Sequence, residues 1–90
     1  MRRTEGLEAA AVIAAAAQDP LNFELAGPAA DMEVLSGNLD AGFARLIAIV
    51  AASADSREPA RERLLELFRT QPANSESVIK ARKALTSALF

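Results

Sequence analysis

The stretch Ala29–Val50, "AADMEVLSGNLDAGFARLIAIV", leaves this chain few folds to choose from. Leu39, Phe43, Leu46, Ile47 and Val50 recur at i, i+4, i+7, i+8 and i+11, which is one apolar stripe at helical period. The spacing predicts a helix from Leu39 to Ser53. Just before it, Gly37 stands where the C′ residue of a preceding helix adopts a left-handed conformation. A connection this short makes the two helices antiparallel neighbours. The small residues Ala30 and Gly42 fall at their crossing, where they let the helices approach closely. Phe43, Leu46 and Val50 then fill the space further along. The stretch reads as a tight helical hairpin.

The rest of the chain extends that pattern. No strand-like alternation appears and β-branched residues are sparse, so the whole chain reads as helical. A first helix runs from Thr4, a plausible N-cap, to Gln18, and Asp19-Pro20 stops it because a residue before proline is pushed out of the helical region. The second runs from Leu21 to Ser36, with one difficulty. Pro28 costs ~3 kcal/mol or more inside a helix, and Gly27 adds flexibility beside it. A kink or break is expected there, or a true start near Pro28. The fourth helix, Arg57–Thr70, opens on Ser56 with Glu58 and Pro59 in its first turn and ends before Pro72. Its broad face of Leu64, Leu65, Leu67 and Phe68 suits a helix sandwiched between neighbours. The fifth begins near Ser75 and buries Val78, Ala81, Leu85, Ala88 and Leu89, with Phe90 folding over the core edge. The fold class is all-α: about five antiparallel helices stacked as hairpins in a single domain.

Composition narrows the chemistry. The 90 residues include no Cys, His, Tyr or Trp. Disulfides, thiol chemistry and the commonest general base and metal ligand are therefore missing. Ser36, Ser53, Ser56, Ser75, Ser77 and Ser87 have no histidine to activate them and read as caps or solvated positions. The carboxylate pairs Asp31/Glu33 and Glu62/Glu66 are too few to build an oxygen cage for a divalent metal. No metal, cofactor or catalytic residue is expected, and the chain reads as a non-enzyme. A net charge of −2 with both signs interspersed supplies no basic surface for nucleic acid. The opening "MRRTEGLEAAAVIAAAAQDP" superficially mimics a signal peptide, but acidic residues interrupt it and its apolar run is alanine, the best helix former. No stretch reaches bilayer-spanning length, so no membrane association and a cytoplasmic location are expected.

The small-residue spacing resembles the tetratricopeptide repeat. Ala30, Gly37, Leu39, Gly42, Leu46 and Ile49 fall where that pattern wants them. "AAAAQDPLN" is similar to the end of a preceding repeat, with Ala15 as its small packing residue and Pro20 as its closing proline. A period of about 34 residues carries Ala15 onto Ile49 and Glu8 onto Gly42; Glu8 departs from the small residue expected there. The segment "ARERLLELFRTQPANSESVIKARKALTSALF" resembles the C-terminal domain of YbbN-type thioredoxin-fold co-chaperones, without the thioredoxin-like domain. On that resemblance the chain begins on the second helix of a repeat.

The resemblance implies a protein-interaction module that docks a partner protein or an unfolded client in a groove lined by the first helix of each hairpin. By repeat position Glu24, Gly27, Asp31 and Val34 would face that groove. Their acidic character suits a basic or mixed partner segment, and the Lys/Asn set that grips a C-terminal carboxylate in some such repeats is lacking. The alternative is a self-association domain, with the alanine-rich first helix covering a second copy. Finally, helical-wheel positions put Arg61 beside Leu64 and Phe68, and Arg82 among Val78, Leu85 and Leu89. Each is expected either to snorkel at the core margin or to bridge helices to a carboxylate such as Asp40, Glu58 or Glu62.

Overall fold

The computed structural model describes residues 2–72 and 74–89, with side chains from Ala10 onward. Five helices follow one another: α1 Arg2–Gln18, α2 Phe23–Leu35, α3 Leu39–Ala52, α4 Arg57–Arg69 and α5 Glu76–Leu89. No strand occurs among the described residues. Helix α2 packs against α1, α3 and α4, and α3 packs against α2, α4 and α5. These two helices are the spine of the fold.

The α2–α3 hairpin owes its closeness to backbone chemistry. Gly37 has φ +94°, the left-handed geometry that ends α2. The Gly37 N–H donates to the Val34 carbonyl and the Asn38 N–H to the Glu33 carbonyl at 2.7 Å, the paired bonds of a Schellman turn. Across the hairpin, a Cβ built on Gly42 would lie 2.9 Å from the Ala30 carbonyl oxygen and 3.0 Å from Val34 Cγ2. Glycine is thus required at this crossing, as the sequence suggested. Phe43, Leu46, Ile49 and Val50 fill the interior beyond it.

Helix α2 corrects the expected break. It is one helix through Gly27-Pro28, and it starts at Phe23 rather than Leu21. Asn22 is the N-cap: its side-chain oxygen accepts the Glu24 N–H at 3.0 Å. Pro28 lies in the second turn, where its missing N–H forfeits a single bond to the Glu24 carbonyl. Its ring faces solvent, while Ala26, Gly27, Ala29 and Ala30 are buried around it. Packing on three neighbouring helices outweighs a local penalty of ~3 kcal/mol.

The C-terminal half closes over α3. Phe68 of α4 meets Phe43 of α3 edge-to-face, with ring centroids 5.0 Å apart. Val78, Ala81 and Leu85 bury the inner face of α5. Leu89, expected in that stripe, is instead 36% exposed, while Ala88 beside it packs against the core. The expectation for Phe90 lies outside the described residues. Helix α4 is tied to α3 by Arg57, whose Nε donates to the Val50 carbonyl at 2.9 Å. That bond satisfies one of the orphan carbonyls at the α3 C-terminus and sets a cation at its negative end. On the other flank, Ala16 is buried and Ala15 is exposed, so the packing register there is one residue later than the repeat spacing implied.

Candidate functional site

Ion pairs across the helices position the surface most suited to function. Two of them converge on α2. Glu33, 5% exposed, takes the Arg45 fork from α3: Nε to Oε1 at 2.9 Å and Nη2 to Oε2 at 2.8 Å. This bidentate pairing raises the Arg45 pKa above its ordinary value. Arg63 of α4 reaches the other side of α2. Its Nη1 donates to Asp31 Oδ2 at 2.9 Å, and its guanidinium carbon lies 5.8 Å from the Phe23 ring centroid. Gly27 makes room for it: a Cβ there would come within 3.1 Å of Arg63 Nη2. Phe23, Gly27 and Asp31 thus form an i, i+4, i+8 stripe lying under one arginine.

Alongside Arg63, α2 and α4 enclose a groove of about 510 Å³ lined by Asp31, Val34, Leu35, Arg63, Glu66, Leu67, Thr70 and Gln71. Val34 and Leu67 are nearly covered, while Leu35 is 86% exposed. Asp31 Oδ1 is enclosed without a hydrogen-bond partner among the described residues. Desolvation pushes the Asp31 pKa up; Arg63 pulls it down and the Glu66 charge pushes it up again. A second, more apolar groove of about 450 Å³ lies between α3 and α5 along Phe43, Ile47 and Ala81, with Lys80 and Asp40 paired at 3.5 Å on its rim.

The four expected groove residues therefore separate. Asp31 and Val34 line the α2–α4 groove. Gly27 is buried beneath the chain's own Arg63, and Glu24 is exposed in the first turn of α2, outside the groove lining. The expected inter-helix bridges at Arg61 and Arg82 need correction. Arg61 pairs with Glu58 one turn back on the same helix at 2.8 Å, raising its own pKa and lowering that of Glu58. Arg82 lays its guanidinium 5.4 Å from the Phe68 ring centroid, linking α5 to α4 through a cation–π contact. The buried and half-buried bridges between helices belong to Arg45 and Arg63 instead. For Glu33 and Arg45 the available signal was the short turn that sets α2 beside α3; Asp31 and Arg63 lie 32 residues apart on α2 and α4 and had no local signal.

Consecutive paired helices, a glycine at the close α2–α3 crossing and a groove between α2 and α4 define a helical-hairpin repeat protein. Comparison with known families agrees: a tetratricopeptide repeat model matches residues 2–90, and the chain belongs to that family. Repeats of this family generally mediate protein–protein interaction. The chain is also similar to an uncharacterized protein of Mycobacterium bovis and to uncharacterized proteins from two strains of Mycobacterium tuberculosis. Each is 41% identical over 71 residues, covering 77% of this chain and 23% of the relative. The chain thus spans less than a quarter of the length of these curated relatives. No solved structure matches it. Among the described residues, no helix is long and apolar enough to cross a membrane.

Proposed function

We propose that this chain is a non-catalytic interaction module that docks a partner protein, or an unfolded client, in the α2–α4 groove. The observation that carries this reading is Leu35. It stands 86% exposed on the groove beside Val34 and Leu67, so apolar surface there is left for a partner to cover. The likeness of the C-terminal half to the repeat domain of thioredoxin-fold co-chaperones supports a co-chaperone setting, in which this domain holds the protein being acted on.

The test compares capture by the parent chain with capture by two surface variants. Leu35→Arg places a charge on the groove wall, and Lys83→Glu changes an exposed position on α5. A specific partner is lost with Leu35→Arg and retained with Lys83→Glu. Partners held equally by both variants, or by neither the parent nor a variant, contradict the reading.

A further inference from the structure

We infer that the α2–α4 groove selects a partner-protein segment carrying a basic side chain beside an aliphatic one, the basic group pairing with Glu66 and the aliphatic group covering Leu35. This deepens the reading of the groove as the docking face and rests on it.

The charges on the groove do not cancel. Among the described residues that line it the one cation is Arg63, already engaged with Asp31 Oδ2 at 2.9 Å. Asp31 Oδ1 has no hydrogen-bond partner among the described residues. Glu66 is exposed and makes no ion pair among the described residues. One carboxylate is therefore left uncompensated immediately beside apolar surface, and a bound segment would strip water from it. Desolvating a carboxylate against an aliphatic or acidic neighbour is costly, whereas a Lys or Arg placed there is matched in charge. The Glu66 charge also pushes up the pKa of Asp31, so a cation at this point relieves a repulsion present in the free protein. The aliphatic half of the preference follows from Leu35, Val34 and Leu67. The α3–α5 groove lacks this imbalance, because Lys80 and Asp40 on its rim are paired with each other.

The experiment selects binders from a library of short random peptides displayed on phage, using the full 90-residue chain as bait. Individual peptides are then measured by fluorescence anisotropy against the parent, Glu66→Gln, Glu66→Lys and Leu35→Ser. Circular dichroism confirms that each variant is folded. Selected peptides should pair Lys or Arg with Leu, Ile or Met. Binding should weaken about tenfold with Glu66→Gln, the effect of losing one charge pair at an interface. Glu66→Lys should abolish it and restore binding to a peptide whose basic residue is changed to Glu. Peptides that bind without basic enrichment, or that ignore Glu66→Gln, overturn this inference while leaving the interaction module standing. A selection that yields no binder removes both.

Discussion

Gly42→Ala sets two physical effects against each other at one atom. In an exposed helix the change is favourable by ~1 kcal/mol, because alanine has the higher helix propensity. Here the added methyl would sit 2.9 Å from the Ala30 carbonyl oxygen and 3.0 Å from Val34 Cγ2. The first of these is backbone in the middle of α2 and cannot swing aside, so the hairpin must open by several tenths of an ångström. Overpacking of this kind costs typically 1–3 kcal/mol, or about that. The displaced core includes Leu46 and Ile49, both fully buried, so the strain has no soft route out. We expect a net destabilisation of about 1–2 kcal/mol. For a domain of this size that is a drop in Tm of roughly 4–15 °C, read by thermal circular dichroism and checked by urea unfolding. Gly37→Ala is the useful contrast: nothing lies within 4 Å of its Cβ, but φ is +94°, so it should lose about 1 kcal/mol through backbone strain alone. A Gly42→Ala chain as stable as the parent, or more so, would refute the close-crossing argument.

Other outcomes follow from the same contacts. Glu33→Leu should cost about 3 kcal/mol in urea unfolding by stranding Arg45, and adding Arg45→Met should recover most of it. If the double variant is no better than the single, the pair is not coupled. Phe68→Ala removes the partner of the Phe43 ring and of the Arg82 guanidinium and should cost about 3–5 kcal/mol. For Asp31 the folded pKa lies above 3.8. The folded state therefore holds this proton longer than the unfolded chain, and the group's contribution to stability falls as pH rises from 3.8 through the folded value. Compared across pH 3 to 6 (~3 to ~6 brackets that window), Asp31→Asn should gain stability relative to the parent as pH rises. The opposite trend would contradict the desolvation of Asp31.

The spine of the fold was legible because its signals are local. The stripe from Leu39 to Val50 and the glycine at position 37 each act within a few residues. Pro28 misled because its penalty is local while its compensation is not: burial of Ala26, Ala29 and Ala30 comes from three other helices. The arginines misled for a related reason. Arg61 and Arg82 sit near apolar positions on a helical wheel, yet a wheel does not say which carboxylate faces them. Asp31 and Glu33 were visible as a pair of acids, but their separate fates under Arg63 and Arg45 depend on how α2 is sandwiched. Of the four residues expected to face a groove, Asp31 and Val34 line the one between α2 and α4. Leu35, Glu66 and Leu67 were not placed there, since the groove is shared by α2 and α4 and no repeat spacing marks which residues of the two helices meet.

The central claim is that this chain works through the α2–α4 groove. Its most direct test places a photo-cross-linking amino acid at Leu35 and, separately, at Lys83, in the protein as it occurs in the cell. The account predicts a discrete cross-linked partner from position 35 that disappears with Glu66→Lys, and none from position 83. Cross-links of equal yield from both positions, or a product at 83 alone, would contradict it.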